Sequence, residues 1–269
     1  MNETESSRKE QIESLPSEEV QEIETLGAAI AEDGKPKLGT MKIDLHCHSE
    51  ASHDSSTPLG LIPGRCLDRD VSVQAITDHD QIWGAIELKE MVEAGNEAEW
   101  RRLTVIVGQE VSTSEGEIIG LFIEEAIPPG LIPEKTVEMI KDQGGLVLLP
   151  HGFDPMKRWR LRPEALERIA GFIDIVETFN SRISHIQWNQ AAVNWSKERD
   201  ILMSAGSDAH TLSDIGSAWV EVPQRTIEKP QDLLEALQDG TPMGDWTHPV
   251  VAYLYKVWDR TLRRLELRK

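Results

Sequence analysis

The sequence predicts an α/β protein in which βα units form a parallel sheet or barrel. Two observations lead to this prediction: seven short apolar runs recur from Met41 onwards, and helical stretches separate several of them. Each run has the length of a buried strand and is bounded by turn residues. Strands that alternate with helices are typical of parallel sheets and barrels. The runs are residues 41–46, 73–77, 103–108, 117–123, 145–150, 172–177 and 201–206.

The helices predicted between these runs begin or end at residues that favour helix termini. The first follows the Ser-Thr-Pro of residues 56–58, a typical helix start. The last closes at Gly240, and a further short strand is predicted over residues 217–223, just before it. The helical stretches are residues 59–70, 84–100, 133–143, 162–170, 184–199 and 229–240.

Three regions follow from this pattern. Residues 1–40 are polar and acidic and predict a flexible tail, within which a helix from Pro16 to Ala31 is an alternative. Residues 41–240 carry the predicted strands and helices of the barrel. Residues 241–269 predict a basic, amphipathic C-terminal helix that packs on the barrel or on a second copy. A helix that lies on a membrane surface is the alternative for this last region.

Composition limits the classes of function. The formal net charge of −19 argues against stable binding of duplex nucleic acid through a basic surface, although bound cations would still admit a short anionic substrate. Two cysteines are too few for a disulfide framework and indicate a reducing compartment. The sequence shows neither an apolar N-terminal run nor a stretch long enough to span a membrane, so we expect a cytoplasmic protein.

Histidine and carboxylate side chains gather where the predicted strands end. His46 and His48 alternate in an extended segment, so both imidazoles can reach one ion. Five strands deliver such residues to the rim where barrels place their active sites. So many carboxylates and imidazoles would be costly to cluster without a cation, which predicts a site for divalent Mn, Zn or Fe. The other rim residues are His53, Asp54, Asp78, His79, Asp80, Glu110, His151, Asp208 and His210.

The order of these motifs resembles the PHP family, which is named after polymerase and histidinol phosphatase. The motifs are D-L-H-x-H, S-x-D-S, I-T-D-H-D, G-x-E-V-S-T, P-H-G-F-D and G-S-D-A-H, and they run in family order from Met41 to Trp219. The resemblance implies a distorted (β/α)7 barrel of the TIM-like type and two or three divalent ions. It also implies ligands: His46, His48 and Asp208 on one ion, Asp54, His79 and His210 on a second, Glu110 as the bridge, and His151 on a third.

Two places depart from the family pattern. The second motif offers both His53 and Asp54, and His53 is the alternative ligand or a substrate contact. The fifth motif reads His-Gly where His-Pro is common, and no second histidine lies close to it. The remaining ligand of a third ion is therefore unassigned, and three residues are near enough in sequence to be considered: Glu177, Asn180 and His185.

The resemblance implies a metal-dependent phosphoesterase in which a metal-bridging hydroxide attacks phosphorus. The substrate is expected to be a small phosphorylated metabolite, a nucleotide or a short oligonucleotide. Two other functions stay open: exonuclease-like hydrolysis of nucleic acid ends, and a non-catalytic scaffold that metal ions stabilise. Glu110, Asp208 and His210 are the expected catalytic residues.

The general acid and the substrate contact are less constrained by the sequence. Asp208, His210 and His151 are each candidates for the general acid. Arg182 follows the sixth strand and is the favoured substrate contact. The arginines of residues 158–162 are an alternative phosphate clamp or a solvated, salt-bridged set. The tryptophans are expected in the core and in helix contacts.

Overall fold

In the computed structural model, which describes residues 39–95 and 98–246, nine strands form one sheet that curls into a nearly closed barrel. The strands are β1 (Thr40–Asp44), β2 (Val71–Ile76), β3 (Thr104–Thr113), β4 (Gly116–Leu121), β5 (Leu146–Leu149), β6 (Ile175–Asn180), β7 (Leu202–Gly206), β8 (Ala218–Pro223) and β9 (Thr241–Gly244). The helices are α1 (Ile62–Asp68), α2 (Trp83–Ala94), α3 (Pro133–Asp142), α4 (Pro163–Ile169), α5 (Gln187–Arg199) and α6 (Pro230–Gln238).

The predicted α/β barrel is confirmed, and each of the seven predicted runs overlaps one of the strands β1 to β7. The sheet is mixed rather than wholly parallel, because β4 is antiparallel to both β3 and β5. The reason is local. β3 continues to Thr113, and only Ser114 and Glu115 separate it from β4, so the chain has no room for a helix and reverses in a hairpin.

Two further strands extend the sheet beyond β1. β8 is the strand predicted over residues 217–223 and pairs antiparallel with β1, and β9 then pairs antiparallel with β8. β9 was not predicted, and it carries the sheet to Gly244, past residue 240. The predictions for residues 1–38 and for most of the C-terminal extension, residues 247–269, lie outside the described residues.

The barrel closes where the chain continues past β1 and β7. The amide of Leu45 donates to the carbonyl of Ala205 at 3.3 Å, and the amide of Asp208 donates to the carbonyl of His46 at 2.8 Å. The buried Asp44 carboxylate accepts the amide and the hydroxyl of Ser207 at 3.0 and 2.6 Å. This seam sets the first predicted metal motif beside the last.

Alternating strand residues give the sheet two apolar faces. The inner face forms the barrel core, to which Ile43, Val73, Ile106 and Leu148 contribute. The outer face packs against the helices, with α1 and α2 covering one part and α3, α4 and α5 another. Within residues 39–95 and 98–246, the helices are all too short or too polar to cross a membrane.

Candidate metal centre

Four side-chain atoms meet at the C-terminal rim of the barrel, beside the β1–β7 seam. His46 Nε2 lies 3.1 Å from His48 Nε2, and Glu110 Oε2 lies 3.3 Å from each of these nitrogens. Asp208 Oδ1 lies 3.8 Å from His46 Nε2 and 3.5 Å from His48 Nε2. Ligands bonded to one tetrahedral ion at about 2.1 Å lie about 3.4 Å apart. The four atoms therefore have the spacing of an ion's ligand set.

A second group surrounds Asp54. Its carboxylate lies 2.9 Å from His210 Nε2 and 3.8 Å from His79 Nε2, and the ring of His48 stacks on that of His79 with centroids 4.5 Å apart. His48, His79 and His210 have ligand atoms within 4.8 Å of one another. His53 is exposed, and its ring centroid lies 5.5 Å from that of His79. The geometry thus favours Asp54 over His53.

A third group contains a residue that the sequence did not indicate, Glu117. His151 Nε2 lies 3.0 Å from Glu110 Oε1 and 3.8 Å from Glu117 Oε2. The other oxygen of Glu117 lies 3.6 Å from His79 Nδ1. Glu117 is buried, and its carboxylate faces the same space as His151 and Glu110. Glu117 is therefore a candidate for the ligand that the sequence left unassigned.

The hairpin explains how Glu117 reaches the site. Glu110 pairs with Ile119 across the hairpin, and Ser112 pairs with Glu117, so the two glutamates are diagonal neighbours on one face. The turn also depends on Gly116, which has φ +129° and lies against the backbone of Arg160 and Leu161. Glu110 was expected at the tip of the third strand, whereas it lies inside β3.

The three residues considered for the third ion have other positions. Glu177 Oε1 lies 2.9 Å from His46 Nδ1, and its Oε2 accepts the amide of His151 at 2.7 Å and Asn180 Nδ2 at 3.0 Å. Both oxygens are therefore used in orienting other residues. Asn180 donates to Glu177 and to Asp208, and His185 is exposed and belongs to none of the ligand groups found in the described residues.

Buried hydrogen bonds hold the imidazoles in place. Ser52 Oγ lies 3.1 Å from His48 Nδ1 and donates to Asp78 at 3.0 Å, so Asp78 orients His48 through Ser52. Such contacts leave the other imidazole nitrogen facing the cluster, as metal-binding histidines require. Cys47, which lies between the two histidines in the sequence, is buried and packs in the core.

The electrostatics of the cluster show how well a cation fits it. Burial, together with the charge of Glu110, raises the pKa of Glu117 to about 10. Burial and the charge of His210 hold the pKa of His48 well below its ordinary value, which leaves that imidazole neutral and able to bind a metal. Although burial opposes it, the charges of His46 and His79 hold the pKa of Glu110 well below the ordinary range. Dry, mixed nitrogen and oxygen donors of this kind suit divalent ions.

Three of the six non-glycine residues with positive φ in the described part of the chain lie at the same rim. Asp80, His151 and Asp208 have φ values of +55°, +28° and +50°, in a region that costs residues other than glycine about 1–3 kcal/mol. Hydrogen bonds from the amides of His151 and Asp208 to Glu177 and to the His46 carbonyl hold the last two in place. The fold therefore supports an unfavourable backbone where it presents candidate ligands.

The basic residues near the site differ from the expected set. Arg182 lies at the rim, where its Nη1 donates to the carbonyl of Asp208 at 2.9 Å. Arg158 and Arg162 are exposed, and Arg158 stacks on the ring of Trp159. Lys157, which the sequence did not single out, places its Nζ 2.5 Å from Asp208 Oδ2. Trp159 is 54% exposed, contrary to its expected place in the core.

The position of Gly206 leads to a prediction. A Cβ at this residue would overlap Glu177 Oε1 and the Cβ of His46. We expect Gly206→Ala to destabilise the protein by about 1–3 kcal/mol in chemical denaturation. We also expect it to weaken metal binding by about 10- to 100-fold, because Glu177 no longer orients His46. Gly171→Ala is the control, since a Cβ there meets no atom within 4 Å; equal behaviour of the two variants would contradict the role of Glu177.

The chain matches the model of a known protein family. The model of the PHP domain matches residues 44–191, more than half of the chain. The chain belongs to the PHP family. A model described as PHP-associated matches residues 187–242, which include β8 and the start of β9. The resemblance inferred from the six motifs is thereby confirmed, and the His, Glu and Asp clusters belong to a PHP barrel.

Several known proteins are similar to this chain in sequence or in structure. An uncharacterized protein of Methanocaldococcus jannaschii is 35% identical over 196 residues, covering 72% of this chain and 75% of its own. A two-domain protein of Bacteroides vulgatus superposes with a TM-score of 0.59 at 17% identity, and the match covers 80% of this chain and 67% of that protein. It is described as containing a predicted PHP-like metal-dependent phosphoesterase. A lesion-specific endonuclease of Pyrococcus furiosus superposes with a TM-score of 0.56 at 16% identity, covering 74% and 56%. At these identities the two structures show a shared fold.

Proposed function

We propose that this PHP protein is a metal-dependent phosphoesterase that hydrolyses phosphate esters of small metabolites or nucleotides. The observation that carries the proposal is the convergence of His46 Nε2, His48 Nε2, Glu110 Oε2 and Asp208 Oδ1, with neighbouring atoms 3.1 to 3.8 Å apart. Such a site, at the open rim of a barrel, is suited to a hydrolytic centre.

We assign three ion positions from the side-chain groups. His46, His48 and Asp208 would hold the first ion, Asp54, His79 and His210 the second, and His151 and Glu117 the third. Glu110 would be available to all three positions, since its Oε2 faces His46, His48 and His79 while its Oε1 faces His151. When bound, Mn, Zn or Fe ions supply Lewis-acid activation of water and neutralise charge on the phosphoryl oxygens.

The chain's own residues orient this chemistry. Glu177 and Ser52 hold the rings of His46 and His48, so their Nε2 atoms point at one position. His210 Nδ1 lies 2.7 Å from the carbonyl of Asp208, which directs its Nε2 toward Asp54. Arg182 stands beside this pair at the mouth of the site and is positioned to contact the substrate. Proton donation to the leaving oxygen is assigned to the Asp208, His210 and His151 set.

Metal analysis with an activity assay tests the proposal. We expect two or more equivalents of Mn, Fe or Zn per chain, and hydrolysis of 4-nitrophenyl phosphate that a chelator abolishes and Mn²⁺ restores. Release of nucleotides from an end-labelled oligonucleotide, without hydrolysis of small esters, would replace the proposal with an exonuclease-like activity. A reconstituted protein that binds ions and hydrolyses neither substrate would replace it with a scaffold function.

A further inference from the structure

Two cationic side chains flank Asp208 from different loops. Lys157, on the loop after β5, places its Nζ 2.5 Å from Asp208 Oδ2, while Asp208 Oδ1 faces His46 and His48. Arg182, on the loop after β6, donates to the Asp208 carbonyl. Both cations therefore contact Asp208, Lys157 at its carboxylate and Arg182 at its carbonyl, which also lies 2.7 Å from His210 Nδ1. The side chain of Lys157 is 26% exposed.

A buried carboxylate ties the two loops together. Asp154 is 1% exposed and accepts the amide of Ser184 at 2.6 Å and its hydroxyl at 2.7 Å. The same carboxylate accepts the amide of Met156 at 2.9 Å, and the Asp154 carbonyl accepts the amide of Lys157 at 3.1 Å. These bonds fix the loop of Lys157 against the loop of Arg182. Asp154 is thus a positioning residue for both cations.

The two positive charges act on the same space. Burial and the charge of Arg182 oppose protonation of Lys157, yet Asp208 raises the pKa of its ammonium above the ordinary value. Lys157 and Arg182 approach Asp208 from two loops, one at its carboxylate and the other at its carbonyl, so that both charges lie beside one residue of the cluster.

We infer that Lys157 and Arg182 form a subsite for the dianionic end of a terminal phosphate, which makes the enzyme selective for phosphate monoesters over diesters. The inference rests on the proposed phosphoesterase function. A monoester presents two negative charges and three unsubstituted oxygens to two fixed cations. A diester carries one charge, and its second ester group would occupy the space beside Lys157 that the monoester leaves to an oxygen.

Substitution of Lys157 separates the two substrate classes. For Lys157→Gln we expect kcat/KM for 4-nitrophenyl phosphate to fall by about 10- to 100-fold, the loss of one charge-assisted hydrogen bond. For bis(4-nitrophenyl) phosphate we expect a change below about threefold. Lys157→Arg keeps the charge and should recover part of the monoester rate. Lys135→Gln is the matched control, because Lys135 is an exposed lysine on α3. Equal losses for both esters would overturn the inference.

A separate comparison of KM, kcat and metal content tests the positioning role of Asp154. Asp154→Asn should raise KM for the monoester more than it lowers kcat, with an unchanged metal content. Ser184→Ala removes one of the same contacts with less risk to folding, and it should show the same trend in smaller measure. An effect of both variants on kcat alone, or on metal content, would overturn this role.

Calorimetry with inorganic phosphate keeps this inference distinct from the proposed function. The Mn²⁺-loaded protein should bind phosphate, and Lys157→Gln should weaken that binding about tenfold with no change in metal stoichiometry. If the protein binds phosphate through Lys157 but hydrolyses no ester, the subsite stands and the proposed function fails. If the protein hydrolyses esters and Lys157→Gln binds phosphate as tightly as the unaltered chain, the subsite is refuted.

Discussion

Glu110→Gln is expected to lower phosphate-ester hydrolysis by at least about a thousandfold. Each oxygen of Glu110 faces a different group, Oε2 lying 3.3 Å from His46 Nε2 and Oε1 lying 3.0 Å from His151 Nε2. An amide has the same shape but carries no charge, so it cannot link two cations. This reduction in rate corresponds to the loss of several kcal/mol of transition-state stabilisation by the metal ions. The measurement is kcat/KM for 4-nitrophenyl phosphate with saturating Mn²⁺.

The matched control for this prediction is Glu87→Gln. Glu87 is exposed on α2, and its replacement removes the same charge away from the rim. It should leave both activity and metal content unchanged. A Glu110→Gln variant that retains more than about a tenth of the activity would contradict the linking role, since one lost tenfold corresponds to only about 1.4 kcal/mol.

Glu117→Gln is expected to remove one ion per chain and to reduce activity by about 10- to 100-fold. Its carboxylate faces His79 and His151, 3.6 and 3.8 Å away, and it takes no part in the group of His46, His48 and Asp208. The first ion should therefore remain. Even residues that only orient a metal's ligands change affinity by about 10- to 100-fold, so loss of a ligand should have at least this effect. Elemental analysis at a fixed free Mn²⁺ concentration measures the change.

Glu115→Gln provides a control on the same hairpin. Glu115 lies two residues from Glu117 and pairs with Arg168 instead of facing the cluster. Its loss should cost about 1 kcal/mol of stability or less, with metal content unchanged. If Glu117→Gln retains the full complement of ions and full activity, Glu117 is a buried bystander and the third position lacks it.

The fold could be predicted from the sequence because its strands are short apolar runs bounded by turns. The sequence did not reveal that β4 runs antiparallel to β3, because the residues that lead into the hairpin are polar. Residues 109–113, Gln-Glu-Val-Ser-Thr, are polar enough to resemble a loop, yet they continue β3 to the hairpin. β9 was missed because Thr-Pro-Met-Gly has little strand character, and its pairing with β8 decides its conformation.

The sequence predicted those residues of the candidate site that follow a strand within a motif. His46, His48, His79, Glu110 and Asp208 lie together at the rim, and the joint pattern of strand-end residues, with the family resemblance, suggested this grouping. Two other residues depend on tertiary structure. Glu117 becomes visible only once β3 and β4 are known to be a hairpin, and Lys157 only once Asp154 is seen to fix its loop. Neither pairing is a local property of the chain.

The seam between β1 and β7 also determines when a metal site can exist during biosynthesis. His46 and His48 emerge from the ribosome early, but Asp208, Ser207 and the Ala205 carbonyl that complete the seam emerge about 160 residues later. Contacts of such long sequence separation form late in folding, because the entropy of closing the loop must be overcome first. An ion held by His46, His48 and Asp208 would therefore find its full ligand set only after translation has passed residue 208. Loading of that position would follow barrel closure, so the nascent N-terminal half would not offer this ligand set to a competing ion.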